Sequence, residues 1–166
     1  FTLGRNTCKT DYFPKISPNE KFIVFISNRT GFANLWRMNT DGSNLKQLTD
    51  FQDVLSPSIS PDNKWIYFVA NKNKTTPPLL YKVSVDGGES FQITNFITFS
   101  PQISADGKQI ACIFPKIEPD GKPTSARHLT ILSATDGKVI KQFETTVFDA
   151  ETPSLAWSPD GKSISY

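Results

Sequence analysis

The hexapeptide Trp157-Ser158-Pro159-Asp160-Gly161-Lys162 has three earlier counterparts: Ile16-Ser17-Pro18-Asn19-Glu20-Lys21, Ile59-Ser60-Pro61-Asp62-Asn63-Lys64 and Ile103-Ser104-Ala105-Asp106-Gly107-Lys108. Each reads as a tight turn. Proline presets φ at the first central position, aspartate or asparagine suits the second, and glycine suits the left-handed position that follows. The first copy carries Glu20 in place of that glycine. A left-handed backbone there costs on the order of 1 kcal/mol for a residue with a Cβ. Asn63 is the better substitute, because asparagine visits that region readily.

The closing lysines of the four copies are spaced by 43, 44 and 54 residues. Two further markers keep step. Asp-Gly pairs ending at Gly42, Gly87 and Gly137 each separate two apolar-rich runs and predict a second hairpin. Gln47-Leu48-Thr49, Gln92-Ile93-Thr94 and Phe143-Glu144-Thr145 close the units. Each unit therefore reads as four short strands. The first precedes the hexapeptide (residues 57–60) and the second follows it (65–68 or 109–112). The third comes after a loop (35–38 or 80–83), and the fourth after Asp-Gly (45–48 or 91–94). Val, Ile, Tyr, Phe and Thr fill these runs, proline keeps to turns, and no helical pattern emerges.

A period of about 40–50 residues with several strands per unit marks a propeller or a related array. A single four-stranded sheet cannot bury both its faces, so each blade needs neighbours. The expected fold class is all-β: β-propeller blades of four antiparallel strands each, in an incomplete ring. Residues 1–13 read as the end of an upstream blade and a linker, residues 14–50, 57–95 and 101–146 as three blades, and residues 153–166 as the first half of a further blade. Such a strand count suggests a piece of a larger propeller, or a chain that self-associates through open blade edges. A start at Phe1 without a leader-like stretch fits a mature form or an excised piece.

Composition narrows the function classes. The 166 residues suffice for one domain with a real core. Eighteen basic and 16 acidic residues leave a formal charge of +2, which argues against a nucleic-acid surface. No apolar run approaches the roughly 20 residues of a membrane span, so direct membrane insertion is not expected. Cys8 and Cys112 lie far apart with no CxxC spacing, and two free thiols are expected. His128 is the single histidine, and no G-x-S-x-G, P-loop or G-x-G-x-x-G motif occurs. No catalytic residue, metal or cofactor is expected. Asp41, Asp62, Asp86, Asp106, Asp136 and Asp160 are assigned to turns, together with Asn19, Gly42, Gly87, Gly107, Gly137 and Gly161. Trp36, Trp65, Tyr81 and Trp157 fall at equivalent or nearly equivalent places and are assigned to packing between blades. Asn28-Arg29-Thr30 and Asn73-Lys74-Thr75 fit the glycosylation sequon, a match that is frequent by chance.

What varies is the connection between second and third strands. It spans 10 residues from Phe25 to Leu35, 12 from Phe68 to Leu80 and 18 from Cys112 to Thr130. In a propeller these connections project from the same face as the links between blades, opposite the turns. Here they gather Arg29, Phe32, Lys72, Arg127 and His128. Arginine pairs with carboxylates and an aromatic ring can anchor in a pocket, so a protein or peptide partner is expected on this face. Electrostatic attraction favours an acidic one.

The stretches ISPDNKWIYF (59–68), WSPDGKSISY (157–166) and ISNRTGFANLWRMNTDGSNLKQLT (26–49) resemble the TolB-type propeller repeat. Its order is SPDGK, a strand, SNR, an aromatic strand, DG and LT. The resemblance covers essentially the whole chain and implies a radial propeller, often of six or more blades. It also implies a place in the periplasm, or outside the cytoplasm beyond a membrane anchor. Such repeats occur in TolB itself, in prolyl-oligopeptidase-type enzymes, and in sensor domains attached to bacterial kinases or transcription regulators. Two readings follow from it. One is a non-catalytic module that binds a protein, peptide or small ligand within a larger sensor protein. The alternative is the propeller of a peptidase, gating access to a separate hydrolase domain.

Overall fold

Four side-chain-buckled turns of one build set the fold. In a computed structural model, which describes residues 9–118, 120, 122–144 and 155–166, the serine of each hexapeptide closes its own turn. The Oγ of Ser17, Ser60, Ser104 and Ser158 donates to Oδ1 of Asn19, Asp62, Asp106 and Asp160 at 2.8, 2.5, 2.6 and 2.6 Å. The same oxygen accepts the backbone N–H of Phe22, Trp65, Gln109 and Ser163 at 2.9–3.0 Å. Oδ1 also accepts the N–H of the closing lysine at 3.0–3.2 Å. Glu20, Asn63, Gly107 and Gly161 all hold left-handed φ values, +58°, +58°, +73° and +69°. The expectations placed on residues 1–7, Cys8 and Thr145 lie outside the described residues.

These turns join the first two strands of each unit. The first antiparallel sheet is β1 (Asp11–Ile16), β2 (Phe22–Ser27), β3 (Asn34–Asn39) and β4 (Lys46–Gln47), in that order. The second is β5 (Asp53–Ile59), β6 (Trp65–Asn71), β7 (Leu79–Ser84) and β8 (Phe91–Gln92). The third is β9 (Phe99–Ile103), β10 (Gln109–Ile117), β11 (Pro123–Ser133) and β12 (Val139–Gln142). A hairpin of β13 (Ala156–Trp157) and β14 (Ile164–Ser165) follows. The described residues contain no helix, and no sheet closes on itself.

The sheets stack face to face with the first strand of each towards a common centre, where β1 meets β5, β5 meets β9 and β9 meets β13. Side chains tie these inner strands together: Ser58 Oγ accepts the N–H of Ile103 at 3.1 Å, and Trp157 Nε1 donates to the Gln102 carbonyl at 2.9 Å. Alternate residues on each strand serve alternate neighbours, as the pleat requires. Val24, Ile26 and Leu35 of the first sheet bury against Val54, Ile66, Phe68 and Val83 of the second. Tyr67 and Leu80 of the second meet Ile110, Cys112 and Leu132 of the third. Ala111, Ile113, Leu129 and Ile131 of the third meet Leu155, with Trp157 and Ile164 against them. The arrangement is an incomplete β-propeller, and the sheets are its blades.

Of these inner strands β1, β5 and β9 each carry a bulge at a residue with φ near +50° that precedes proline: Phe13, Ser56 and Ser100. A residue before proline is ordinarily pushed to extended backbone, so each bulge is a strained position. One sequence expectation is corrected. The stretch from Cys112 to Thr130, read as an 18-residue loop, is largely a paired ribbon, with Ile113 opposite Leu129, Phe114 opposite His128, Pro115 opposite Arg127 and Ile117 opposite Pro123. Three prolines and the charges of Lys116, Glu118, Asp120 and Lys122 hide the alternation by which a strand is recognised.

Candidate functional site

The face of the second-to-third-strand connections also holds the links between blades. The β2–β3 connection touches the start of β5, where Val54 N–H donates to the Ala33 carbonyl at 3.0 Å. Beside this contact a groove of about 770 Å³ runs between the first and second blades. Phe32 stands at its mouth with half its surface exposed (51%). Lys72, Asp50 and Glu89, all exposed, bring charges of both signs to the lining. Thr30, Asn34, Gln47, Thr49 and Ser90 supply hydroxyls and amides, while Phe51 and Tyr81 form an aromatic wall with ring centroids 4.9 Å apart.

The polar groups in this lining are already oriented. Asn34 Oδ1 accepts the Phe51 N–H at 2.8 Å and the Thr49 hydroxyl at 3.0 Å, and Asn34 Nδ2 donates to the Phe51 carbonyl at 3.1 Å. Thr30 Oγ1 donates to Gln47 Oε1 at 3.2 Å, and Gln47 Nε2 donates to the Thr49 carbonyl at 2.7 Å. A wall held this way keeps its shape before anything binds, which lowers the entropy lost on binding.

Of the five residues expected to bind, the groove brings together Phe32 and Lys72. Arg29 is committed elsewhere. Its Nη2 donates to both carboxylate oxygens of Asp11 at 2.9 Å, and its Nε donates to Ser27 Oγ at 2.8 Å. Its guanidinium also lies over the rings of Phe25 and Trp36, at 5.3 and 4.8 Å from their centroids. The Ser27 hydroxyl and the Arg29 guanidinium hold the Asp11 carboxyl below the usual carboxylate range. Arg127 sits on the third-blade ribbon with its guanidinium 4.4 Å above the Phe99 ring. His128 Nδ1 donates to the Phe143 carbonyl at 2.8 Å, which fixes the proton on that nitrogen because a carbonyl only accepts. The second sequon residue, Asn73, uses its Oδ1 for Thr75 and Thr76 of its own loop.

The turn residues form the opposite face. The carboxyls of Asp62, Asp106 and Asp160 are held below the usual range, first by the serine hydroxyl two residues earlier. On that face Arg37 reaches from β3 to the second blade, donating to Asp86 Oδ1 at 2.7 Å and to the Val85 carbonyl at 2.9 Å. Lys46 joins it, donating to the Asp86 carbonyl. These contacts clamp blade to blade and leave the turn aspartates occupied.

Radially stacked four-stranded sheets with their first strands at a common centre place the chain among β-propellers. The sequence profile of the TolB beta propeller domain matches residues 5–166, and the chain belongs to that family. No curated protein matches the sequence. Among solved structures, TolB from Acinetobacter baumannii superposes with a TM-score of 0.72 at 23% identity, over 91% of this chain and 36% of that one. A protein assigned as TolB from Agrobacterium tumefaciens gives 0.72 at 22% identity, over 95% and 57%. The acylaminoacyl peptidase of Pyrococcus horikoshii gives 0.67 at 18% identity, over 94% and 27%. At these identities the likeness is one of fold, and the chain spans between about a quarter and just over half the length of each.

Proposed function

We propose that this propeller segment is a non-catalytic binding module. It holds a peptide or protein partner on the connection face, with the groove between its first and second blades as the contact. The observation that supports it most is Phe32, an exposed aromatic ring at the mouth of a pre-shaped, mostly polar groove. An aromatic anchor beside oriented hydroxyls and amides is what a peptide-sized ligand needs. Lys72 stands there with Asp50 and Glu89, so the reading asks for a partner of mixed charge, with no bias towards acidic ones. By likeness to TolB, the module belongs outside the cytoplasm, in the periplasm of a bacterium and within a larger sensor-type protein.

A phage-displayed peptide library selected on the chain tests this, with Phe32→Ser and Lys72→Ala as counter-screens. Peptides that bind the parent and lose at least tenfold on Phe32→Ser support the groove. Enriched peptides indifferent to both changes refute it. The likeness to acylaminoacyl peptidases favours a second reading, a propeller that screens substrates for an attached hydrolase domain. Under that reading the sequence adjoining residues 1–166 carries a G-x-S-x-G nucleophile elbow, and without that motif this second reading falls.

A further inference from the structure

Asp53 is the odd charge of this fold. It opens β5 at the edge of the connection face, half-buried, and no hydrogen bond or ion pair meets its carboxylate among the described residues. Burial alone pushes its carboxyl up, whereas the other shifted aspartates have a serine hydroxyl or an arginine beside them. Nothing in the blade demands a charge here. The equivalent positions, 43 residues earlier and 44 later, are Thr10 and Ile97. A half-buried carboxylate without a partner weakens folding, so its presence needs another reason.

Its surroundings supply one. Asp53 lies close enough to Tyr12 of the first blade for its charge to act on the phenol. Tyr12 in turn meets Phe13 edge to face, with ring centroids 5.4 Å apart. Phe13 is 49% exposed and sits at the strained pre-proline bulge where β5 and β9 carry Ser56 and Ser100. The first blade thus places an exposed ring where its neighbours place a hydroxyl. The strands that carry these residues, β1 and β5, pack together, and a carboxylate near aromatic rings is complementary to an organic cation, through a charge-assisted hydrogen bond and cation–π attraction. A metal ion fits less well, because no group of three metal-ligating side chains occurs among the described residues.

We propose that Asp53, Tyr12 and Phe13 form a subsite for the guanidinium or ammonium group of an arginine or lysine side chain on a bound partner. The subsite stands apart from the groove between the first two blades, whose lining does not include these three residues. Agmatine is the probe and its uncharged ureido analogue the control, with binding followed by NMR on the full chain. Agmatine shifts the Asp53 amide and Tyr12 ring signals, and the ureido compound does not. Asp53→Asn weakens agmatine binding at least tenfold and Phe13→Ser several-fold. Asp53→Asn also melts at or above the parent temperature, since the carboxylate it removes meets no hydrogen bond or ion pair among the described residues. The proposal is overturned if agmatine leaves those signals still or binds Asp53→Asn as it binds the parent. It is equally overturned if Asp53→Asn melts below the parent, because the carboxylate then serves an internal contact.

Discussion

Gly137→Ala is the sharpest test of how closely the blades are fitted. Gly137 ends the Asp-Gly hairpin between β11 and β12 with φ +70°. A residue with a Cβ pays about 1–2 kcal/mol to stand there. Gly42 and Gly161 hold φ +85° and +69° with nothing within 4 Å of a Cβ, so alanine at either shows that backbone cost alone. At Gly137 the added methyl would overlap the carbonyl oxygen of Ile93 in the second blade and stand 2.8 Å from its Cγ2. Ile93 cannot retreat freely, because its N–H is bonded to the Leu80 carbonyl at 2.8 Å and its side chain packs in the core between the second and third blades. Overpacking of this kind adds about 1–3 kcal/mol. Gly137→Ala should therefore destabilise by about 2–5 kcal/mol, and Gly161→Ala by about 1–2 kcal/mol. Urea unfolding followed by tryptophan fluorescence gives the difference. If the two variants lose the same stability, the third blade does not seat its second hairpin against Ile93, and the second and third blades stack differently.

Three further outcomes follow from the turns. Glu20→Gly should be neutral or stabilising by up to about 1 kcal/mol, since Glu20 holds φ +58° without glycine's freedom; a variant that melts well below the parent refutes this. Ala105→Pro should stabilise by about 0.4–1 kcal/mol, because proline already occupies that position in the other three turns. Pro61 stands 3.3 Å from where a Cβ on Gly107 would lie, whereas a cavity of about 350 Å³ is lined by both Ala105 and Gly161; a lower melting temperature would mean the third turn differs in build. Finally, the lowered carboxyl of Asp106 lends stability that is present above its unfolded value near pH 4 and lost as pH falls through its folded value. Melting temperatures of the parent and Asp106→Asn should converge as pH falls below about 4, and parallel curves would contradict the role of the Ser104 hydroxyl.

The blades were legible because their punctuation is chemical. Pro, Asp and Gly at fixed offsets state which backbone conformations the turns require, and the apolar runs between them are too short for anything but strands. The serine of the hexapeptide was equally visible in all four copies, yet its two hydrogen bonds, donated to the aspartate or asparagine ahead and accepted from the N–H five residues on, emerge only in the folded turn. The ribbon after Cys112 was hidden by its prolines and charges. The groove was illegible for a different reason. Phe32 and Lys72 stand out in their loops, but Asp50, Tyr81 and Glu89 join them only when two blades stack. Arg29 shows the converse: a loop arginine reads as free until Asp11, 18 residues earlier, and two aromatic rings take it up.

The buckle made by each serine and its aspartate or asparagine lies wholly within six or seven residues, so it asks nothing of the far end of the sheet. Register is therefore counted from the turn face outward, and length can be added at the other end without resetting it. The third blade has done this: β10 and β11 run to 9 and 11 residues where β2 and β3 have 6, while the pairing nearest the turn keeps Ile110 opposite Leu132 as Ile23 is opposite Met38. For lineages and designers alike, the blade works as a ruler fixed at one end, and foreign sequence is best spliced beyond Arg127's side of that ribbon.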